Sequence, residues 1–207
     1  MQLAHHVRLP RNLSERRVTR AVLAFSAALL LAACMDTRPF NGVEMLPPET
    51  AMDLTLPTAG EESFSLQEQK GKVVLLFFGF TNCPDICPTT LSDWARARQS
   101  LGADADRVTW VFVSVDPERD TPEVASNYAK KFDPSFIGLS ADAEAIARIQ
   151  QGFRISAYRE AALEDDGPYS VAHSSQTFLV DRGGRLRIIY PFGFTADELA
   201  EDLKRLL

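Results

Sequence analysis

An uninterrupted apolar run at residues 73–80, VVLLFFGF, constrains the fold more than any other feature of this sequence. A strand with one face in water alternates apolar and polar side chains, whereas a strand covered on both faces can be apolar throughout. We therefore expect residues 73–80 to form the central strand of a covered sheet. A second run, VTWVFVSV at 108–115, predicts a buried neighbouring strand.

Helix and turn signals alternate with these strands. Thr121 and Pro122 predict a helix start, because threonine caps a first turn well and proline suits the first helical position. Thr195 and Glu198 have the spacing of a capping box. The alternation predicts an α/β fold. The expected helices cover residues 88–101, 121–132, 140–153 with Ser140 as cap, and the segment after Thr195, and the other expected strands are 136–139, 177–180 and 186–190.

Residues 1–33 have the pattern of an export signal. Five arginines precede the segment 21–33, in which Ser26 is the only polar residue. That segment is too short to span a bilayer, which takes about 20 residues. It ends in Leu31-Ala32-Ala33-Cys34, which resembles the lipobox of bacterial lipoproteins. We expect a lipoprotein signal peptide at 1–33 and a lipidated Cys34; an uncleaved anchor or a free thiol at Cys34 are the alternatives.

The rest of the chain is expected to be one exported domain behind a short connection. Residues 34–52 contain three prolines and are predicted to be a membrane-proximal tether. Residues 53–207 then form a domain on the periplasmic side of a membrane in the bacterial cell envelope. Hydrophobic residues make up 45% and charged residues 24%, which is ordinary for a folded domain. The net charge of −6 argues against nucleic acid as a partner.

Export leaves few soft ligands in the expected domain: Cys83, Cys87 and His173. The cysteines lie where the first core strand meets its helix, an arrangement that resembles a thioredoxin-type fold, but three residues separate them instead of two. Because proline disfavours helical geometry in the residue before it, we expect the helix to begin at Pro88. Cys87 would then be the N-cap with a lowered pKa, and both sulfurs would lie on an exposed loop. An inert structural disulfide would close only a small loop and stabilise little.

His173 is expected to overhang the two thiols, because in thioredoxin-type domains the loop before the penultimate strand packs beside the active-site cysteines. A solvated or core histidine is the ordinary alternative. Two thiolates and one imidazole suit copper, and thiolate favours Cu(I). Structural zinc usually has four protein ligands. Asp85 could complete a zinc site, but copper, which accepts fewer soft ligands, is the stronger inference.

Three sequence blocks together resemble the Sco/SenC family: FTNCPDICP at 80–88, SVDPERDTP at 114–122 and HSS at 173–175. The resemblance implies a thioredoxin-like fold with a central mixed β-sheet flanked by helices and an added N-terminal hairpin or strand. It also implies a membrane-tethered copper-binding protein that serves assembly of the CuA centre of cytochrome c oxidase. Cys83, Cys87 and His173 match the family's copper ligands. Asn82 and Ala172 depart from the family pattern, and Ala172 replaces a carboxylate often found before the histidine.

Two functions follow as hypotheses. The first is a metallochaperone that binds copper, as Cu(I), Cu(II) or both, and delivers it to the oxidase subunit that carries CuA. The alternative is a periplasmic thiol:disulfide oxidoreductase that uses Cys83 and Cys87 as a redox-active pair able to form a disulfide. Other periplasmic copper carriers or thiol reductases are further possible partners. Asp116 either makes a turn and cap with its neighbours or borders the copper site, and Asp85 is a second possible neighbour of the ligands.

Overall fold

A mixed six-stranded sheet organises the part of the chain described by this computed structural model, residues 38–60, 62–160 and 169–207. The six strands of this sheet are β1 (Val43–Thr50), β4 (Val73–Gly79), β5 (Val108–Ser114), β6 (Ile137–Leu139), β9 (Thr177–Val180) and β10 (Arg185–Tyr190). Two separate hairpins are formed by β2 (Thr55–Pro57) with β3 (Ser63–Ser65) and by β7 (Ala157–Arg159) with β8 (Val171–His173). The helices are α1 (Ile86–Leu101), α2 (Pro122–Lys130), α3 (Ala143–Phe153) and α4 (Ala196–Leu206). Short 3₁₀ turns lie at Gln67–Gln69 and Gly102–Arg107.

The strand order is β1-β10-β9-β4-β5-β6. Strands β4, β5 and β6 are parallel, whereas β9, β10 and β1 continue the sheet in antiparallel pairs. Every residue of β4 and of β5 is buried, so the two apolar runs are the covered strands that the sequence predicts. The mixed sheet flanked by helices confirms the expected thioredoxin-like class.

Alternate residues of β4 supply two separate hydrophobic cores, because successive side chains of a strand point to opposite faces. Val73, Leu75 and Phe77 pack against α1, α2 and α4. Val74, Leu76 and Phe78 pack against α3 and the β2–β3 hairpin. The strand is therefore held on both faces, and its carboxyl end has little freedom to move.

Strand β1 corrects the expected extent of the tether. Residues 43–50, which we expected to be part of a tether over 34–52, form this strand, and its two ends, Val43–Glu44 and Glu49–Thr50, pair with β10 at the edge of the sheet. Pro47 and Pro48 do not prevent this, because they lie in the irregular stretch between Glu44 and Glu49 and not at a paired position. The β1 strand and the β2–β3 hairpin are the N-terminal additions that the fold class anticipates. The expected signal peptide and Cys34 lie outside the described residues, and no helix among the described residues is long and apolar enough to cross a membrane.

Two helix starts differ from expectation. Helix α1 begins at Ile86 with Asp85 as N-cap, so Cys87 lies inside the first turn and is not the cap. Pro88 is tolerated there because the first N–H groups of a helix have no partner within the helix. Helix α3 is capped by Asp142, whose side chain accepts from the Ala145 N–H, whereas the Ser140 hydroxyl, the expected cap, donates to the Asp120 carbonyl. The Thr121 cap and the capping box at Thr195 are confirmed.

Gly138 gives a direct test of the packing between β6 and α2. A Cβ at this position would overlap the backbone at Ala125 and Ser126. Because a helix backbone cannot yield as a side chain does, we expect Gly138→Ala to lower the free energy of unfolding by about 3 kcal/mol. Gly183→Ala is the control, since the Cβ there would meet an Asp181 side-chain oxygen at 3.2 Å, and should cost about 1 kcal/mol or less. Equal losses in urea unfolding would contradict this account of the packing.

Candidate metal centre

Three side chains from three different elements converge at the carboxyl end of β4. Cys83 lies in the loop after the strand, Cys87 in the first turn of α1, and His173 at the end of β8. One potential ligand atom from each of these residues lies within 4.8 Å of the other two. The three soft-ligand residues singled out in the sequence are thus brought together by the fold.

The Cys83 sulfur lies at the N-terminal end of α1. Its Sγ accepts a hydrogen bond from the Cys87 backbone N–H at 3.4 Å. A hydrogen bond from the Cys87 side chain is the main cause that lowers the pKa of Cys83 to about 4, with His173 and the backbone N–H groups of Cys87 and Asp85 adding to it against the effect of burial. The lowered pKa makes this sulfur the thiolate of the pair, and Cys83 is only half-buried.

Cys87 has the opposite character, which corrects the sequence prediction. Its side chain is fully buried rather than exposed on a loop. The hydrogen bond to the Cys83 thiolate and burial together raise the pKa of Cys87. The lowered pKa expected for Cys87 therefore belongs to Cys83, chiefly because the buried Cys87 side chain donates a hydrogen bond to the Cys83 sulfur.

Gly79, the last residue of β4, explains how Cys87 fits into so small a space. A Cβ on Gly79 would lie 2.6 Å from the Cys87 Sγ. Any side chain at this position would therefore displace the sulfur. Sequence reasoning placed Gly79 in the buried strand without giving it a role, because a close approach between a strand and a helix is visible only in three dimensions.

His173 is held by aromatic rings and by one backbone carbonyl. Phe77 and Phe80 pack against the imidazole in T-shaped arrangements, with ring centroids 6.2 Å and 5.6 Å away. Its Nδ1 lies 3.1 Å from the Ser174 carbonyl oxygen, and its Nε2 lies 3.7 Å from the Cys87 Sγ. With the proton on Nδ1, which then donates to the carbonyl, the Nε2 lone pair faces the sulfurs, as a metal-binding imidazole requires.

The strand that carries His173 was not expected. Residues 157–159 and 171–173 form the small antiparallel hairpin β7–β8, in which Ala157 pairs with His173. The sequence predicted a loop here, because a pairing of only three residues across a long separation leaves no periodic signal. The hairpin nevertheless puts the imidazole beside the thiols, as the loop hypothesis required.

Asp120 holds the loop that carries Cys83. Its side chain is almost fully buried and accepts hydrogen bonds from the Thr81 N–H at 2.9 Å, the Thr81 hydroxyl at 2.6 Å and the Ser114 hydroxyl. These bonds tie the ends of β4 and β5 together next to the site. Asp120 belongs to the SVDPERDTP block, for which the sequence left open either a turn and cap or a border of the copper site. Two hydroxyl residues near the ends of adjacent strands, Thr81 and Ser114, were the signal for the role of Asp120.

The two aspartates expected near the ligands have other partners. Asp85 is exposed and accepts a hydrogen bond from the Thr89 hydroxyl at 3.4 Å. Asp116 is buried, pairs with Arg119 and accepts a hydrogen bond from the Tyr169 hydroxyl at 2.8 Å. Among the residues that the structure describes, the group able to hold a metal ion consists of Cys83, Cys87 and His173.

The thiolate assignment predicts the acid titration of the reduced protein. With Cys34 replaced by Ser throughout, one thiolate should absorb in the ultraviolet at neutral pH and disappear as the pH falls through about 4. Cys83→Ser should abolish that absorbance. Cys87→Ala should move the transition to higher pH, because the hydrogen bond that most lowers the Cys83 pKa is lost. A thiolate that survives Cys83→Ser at neutral pH would contradict the assignment.

A family model and a curated relative both place this sequence among the SCO proteins. The SCO1/SenC family model matches residues 45–207. The SCO2-like protein of Rickettsia felis is 36% identical over 152 residues, which cover 73% of this chain and 74% of that protein.

Two solved structures resemble this one in both fold and sequence. Apo Sco1 from Thermus thermophilus has a TM-score of 0.75 and 41% identity, over 84% of this chain and 100% of that one. ScoI from Bradyrhizobium japonicum, solved with copper bound, has a TM-score of 0.69 and 39% identity, over 76% of this chain and 99% of that one.

Proposed function

The chain belongs to the SCO1/SenC family, and we propose that it is a copper-binding metallochaperone that holds its cargo through Cys83, Cys87 and His173. The observation that carries the proposal is the convergence of two sulfurs and one imidazole nitrogen within 4.8 Å. The copper bound in the Bradyrhizobium japonicum relative supports the same metal here.

The chemistry of the donors favours copper over other ions. Thiolate ligands select Cu(I) and zinc, and imidazole suits both. A structural zinc site calls for a fourth protein ligand. Asp85, the fourth ligand that the sequence offered, bonds to Thr89 and is not part of the converging group. Three soft ligands match the low coordination number that Cu(I) accepts.

The site suits transfer of the ion. Cys87 is buried at the base of the site, whereas Cys83 and His173 are half-buried at the rim of the site. An incoming ligand can therefore reach the metal from the side of Cys83 and His173 while Cys87 still holds it. We propose the oxidase subunit that carries CuA as the recipient, a role that rests on the family resemblance.

Redox state controls the cargo in this proposal. Both thiols are free in the structure. Oxidation of the Cys83 thiolate and the Cys87 thiol to a disulfide would pass two electrons to a thiol oxidant and release the single Cys87 proton, and it would remove two of the three ligands. Copper therefore binds only to the reduced pair, and a thiol reductase in the same compartment would reload the protein.

The location follows from the sequence rather than from the described residues. The lipobox-like Leu31-Ala32-Ala33-Cys34 supports a lipid anchor on Cys34 and a place on the periplasmic side of a cell-envelope membrane. A membrane-tethered domain would meet membrane-bound oxidase subunits in two dimensions, which raises its effective concentration near them.

Thiol:disulfide exchange is the second candidate function, and one observation favours it. An accessible thiolate with a pKa of about 4 beside a buried protonated thiol is the arrangement of an attacking and a resolving cysteine. That chemistry does not require an imidazole. The role of His173 therefore separates the two functions.

Anaerobic titration of the reduced protein with Cu(I) against a competing chelator tests the proposal. The wild type should bind one tight equivalent. His173→Ala should weaken binding by about tenfold or more, since changes even outside the ligand shell cost 10–100-fold. The Cys83→Ser, Cys87→Ser double variant should not bind tightly, because no thiolate remains in the site.

Asp85→Asn is the matched control, since it changes a carboxylate close in sequence to both cysteines but outside the converging group. It should bind as the wild type does. Binding that is indifferent to His173→Ala, or an absence of tight binding, would contradict the three-ligand site and favour thiol exchange.

A further inference from the structure

We propose that Arg119 is a positioning residue that sets the place of the His173 imidazole relative to the two thiols; this inference rests on the proposed function. Arg119 lies in the SVDPERDTP block, in the turn between β5 and α2. It touches no ligand atom itself. Its contacts instead reach both the backbone that leads to His173 and the ring that packs against it.

The first route runs through the backbone of Tyr169, which lies just before strand β8. The Nη1 of Arg119 donates to the Tyr169 carbonyl at 3.0 Å. The Tyr169 hydroxyl donates to Asp116 at 2.8 Å. Tyr169 is thus held at its carbonyl and at its hydroxyl from the same turn, which fixes the start of the strand that ends in His173.

The second route runs through aromatic rings. The Arg119 guanidinium carbon lies 3.7 Å from the Tyr169 ring centroid and 5.7 Å from that of Phe80. The Phe80 ring is buried and packs against the imidazole in a T-shaped arrangement, with centroids 5.6 Å apart and an angle of 87° between the ring planes. A planar cation is attracted to such ring faces, so Arg119 holds Phe80 where it supports His173.

Asp116 fixes Arg119 in turn. Its carboxylate is 3% exposed and accepts a hydrogen bond from the Arg119 Nε. A buried carboxylate needs a charged or hydrogen-bonding partner, so the pair is held together strongly. A lysine could not donate to Asp116 and to the Tyr169 carbonyl while stacking flat on a ring, because its charge is a single point on a flexible stem.

The turn between β5 and α2 therefore holds both the loop that carries Cys83 and the hairpin that carries His173. Asp120 holds the Cys83 loop through Thr81, and Arg119 holds the His173 hairpin through Tyr169. The backbone N–H groups of Arg119 and Asp120 both donate to the Asp116 carbonyl, which joins the two halves within one hydrogen-bonded turn. Loss of Arg119 should free the imidazole while leaving the two thiols in place.

A variant pair with a matched control tests this role in the full chain, purified in detergent. Arg119→Met keeps the aliphatic stem but removes the guanidinium. Arg159→Ala is the control, because Arg159 also lies over the Tyr169 ring, at 4.0 Å, yet its ion pair is with exposed Glu118. Arg119→Met should weaken Cu(I) binding, measured anaerobically against a competing chelator, by about tenfold, as loss of an outer partner of a ligand does, whereas Arg159→Ala should change it by less than about twofold.

A double-mutant cycle separates positioning from general structural damage. In a His173→Ala background, Arg119→Met should have less than about a twofold further effect, since the residue acts through His173. An equal loss of affinity in both backgrounds would show that Arg119 supports the fold and not the imidazole, and would overturn the proposal.

The second readout needs no copper. In reduced apo protein, the His173 ring signals in nitrogen-15 NMR, identified by their loss in His173→Ala, should indicate Nδ1 protonation and shift towards averaged values in Arg119→Met. They should stay unchanged in Arg159→Ala. Unchanged His173 signals in Arg119→Met would contradict the positioning role even where copper binds. Shifted signals in a protein that does not bind copper would support positioning while the proposed function fails.

Asp116→Asn keeps the test decisive if Arg119→Met does not fold. It preserves the shape of the side chain and removes the charge that fixes Arg119. The same His173 signals should shift, and circular dichroism should confirm that the protein is folded. A folded Asp116→Asn protein with unchanged His173 signals would overturn the proposal.

Discussion

The burial of β4 on both faces is the constraint on which the rest of the structure depends. The side chains of residues 73–78 alternate between two hydrophobic cores, so close packing on both faces fixes the position of the carboxyl end of the strand. The Cys83 loop begins there, and Gly79 leaves just enough room for the Cys87 sulfur. The packed core therefore also fixes the positions of the two thiols.

The rim of the site depends on polar contacts in place of apolar ones. A loop and a three-residue hairpin bury too little surface to be fixed by packing alone. Asp120 and Arg119 supply the missing order through hydrogen bonds to Thr81 and to Tyr169. Polar side chains that are hydrogen-bonded between separate elements restrict the geometry of those elements, which a site with three ligands from separate elements requires.

The sequence predicts the strands better than the details of the site. The apolar run at 73–80 and the capping box at Thr195 are local signals, and the structure confirms both. The β7–β8 hairpin escapes prediction because its pairing is short and distant in sequence. The assignment of the thiolate to Cys87 was wrong because it depends chiefly on the hydrogen bond between the two cysteine side chains, a contact that the sequence does not show.

Copper K-edge X-ray absorption on the Cu(I)-loaded reduced protein tests the central claim most directly, because it reports the atoms around the ion. We expect two sulfur neighbours and one nitrogen neighbour, with the nitrogen lost in His173→Ala and both sulfurs retained. A spectrum with sulfur neighbours alone, unchanged by His173→Ala, would contradict the three-ligand centre.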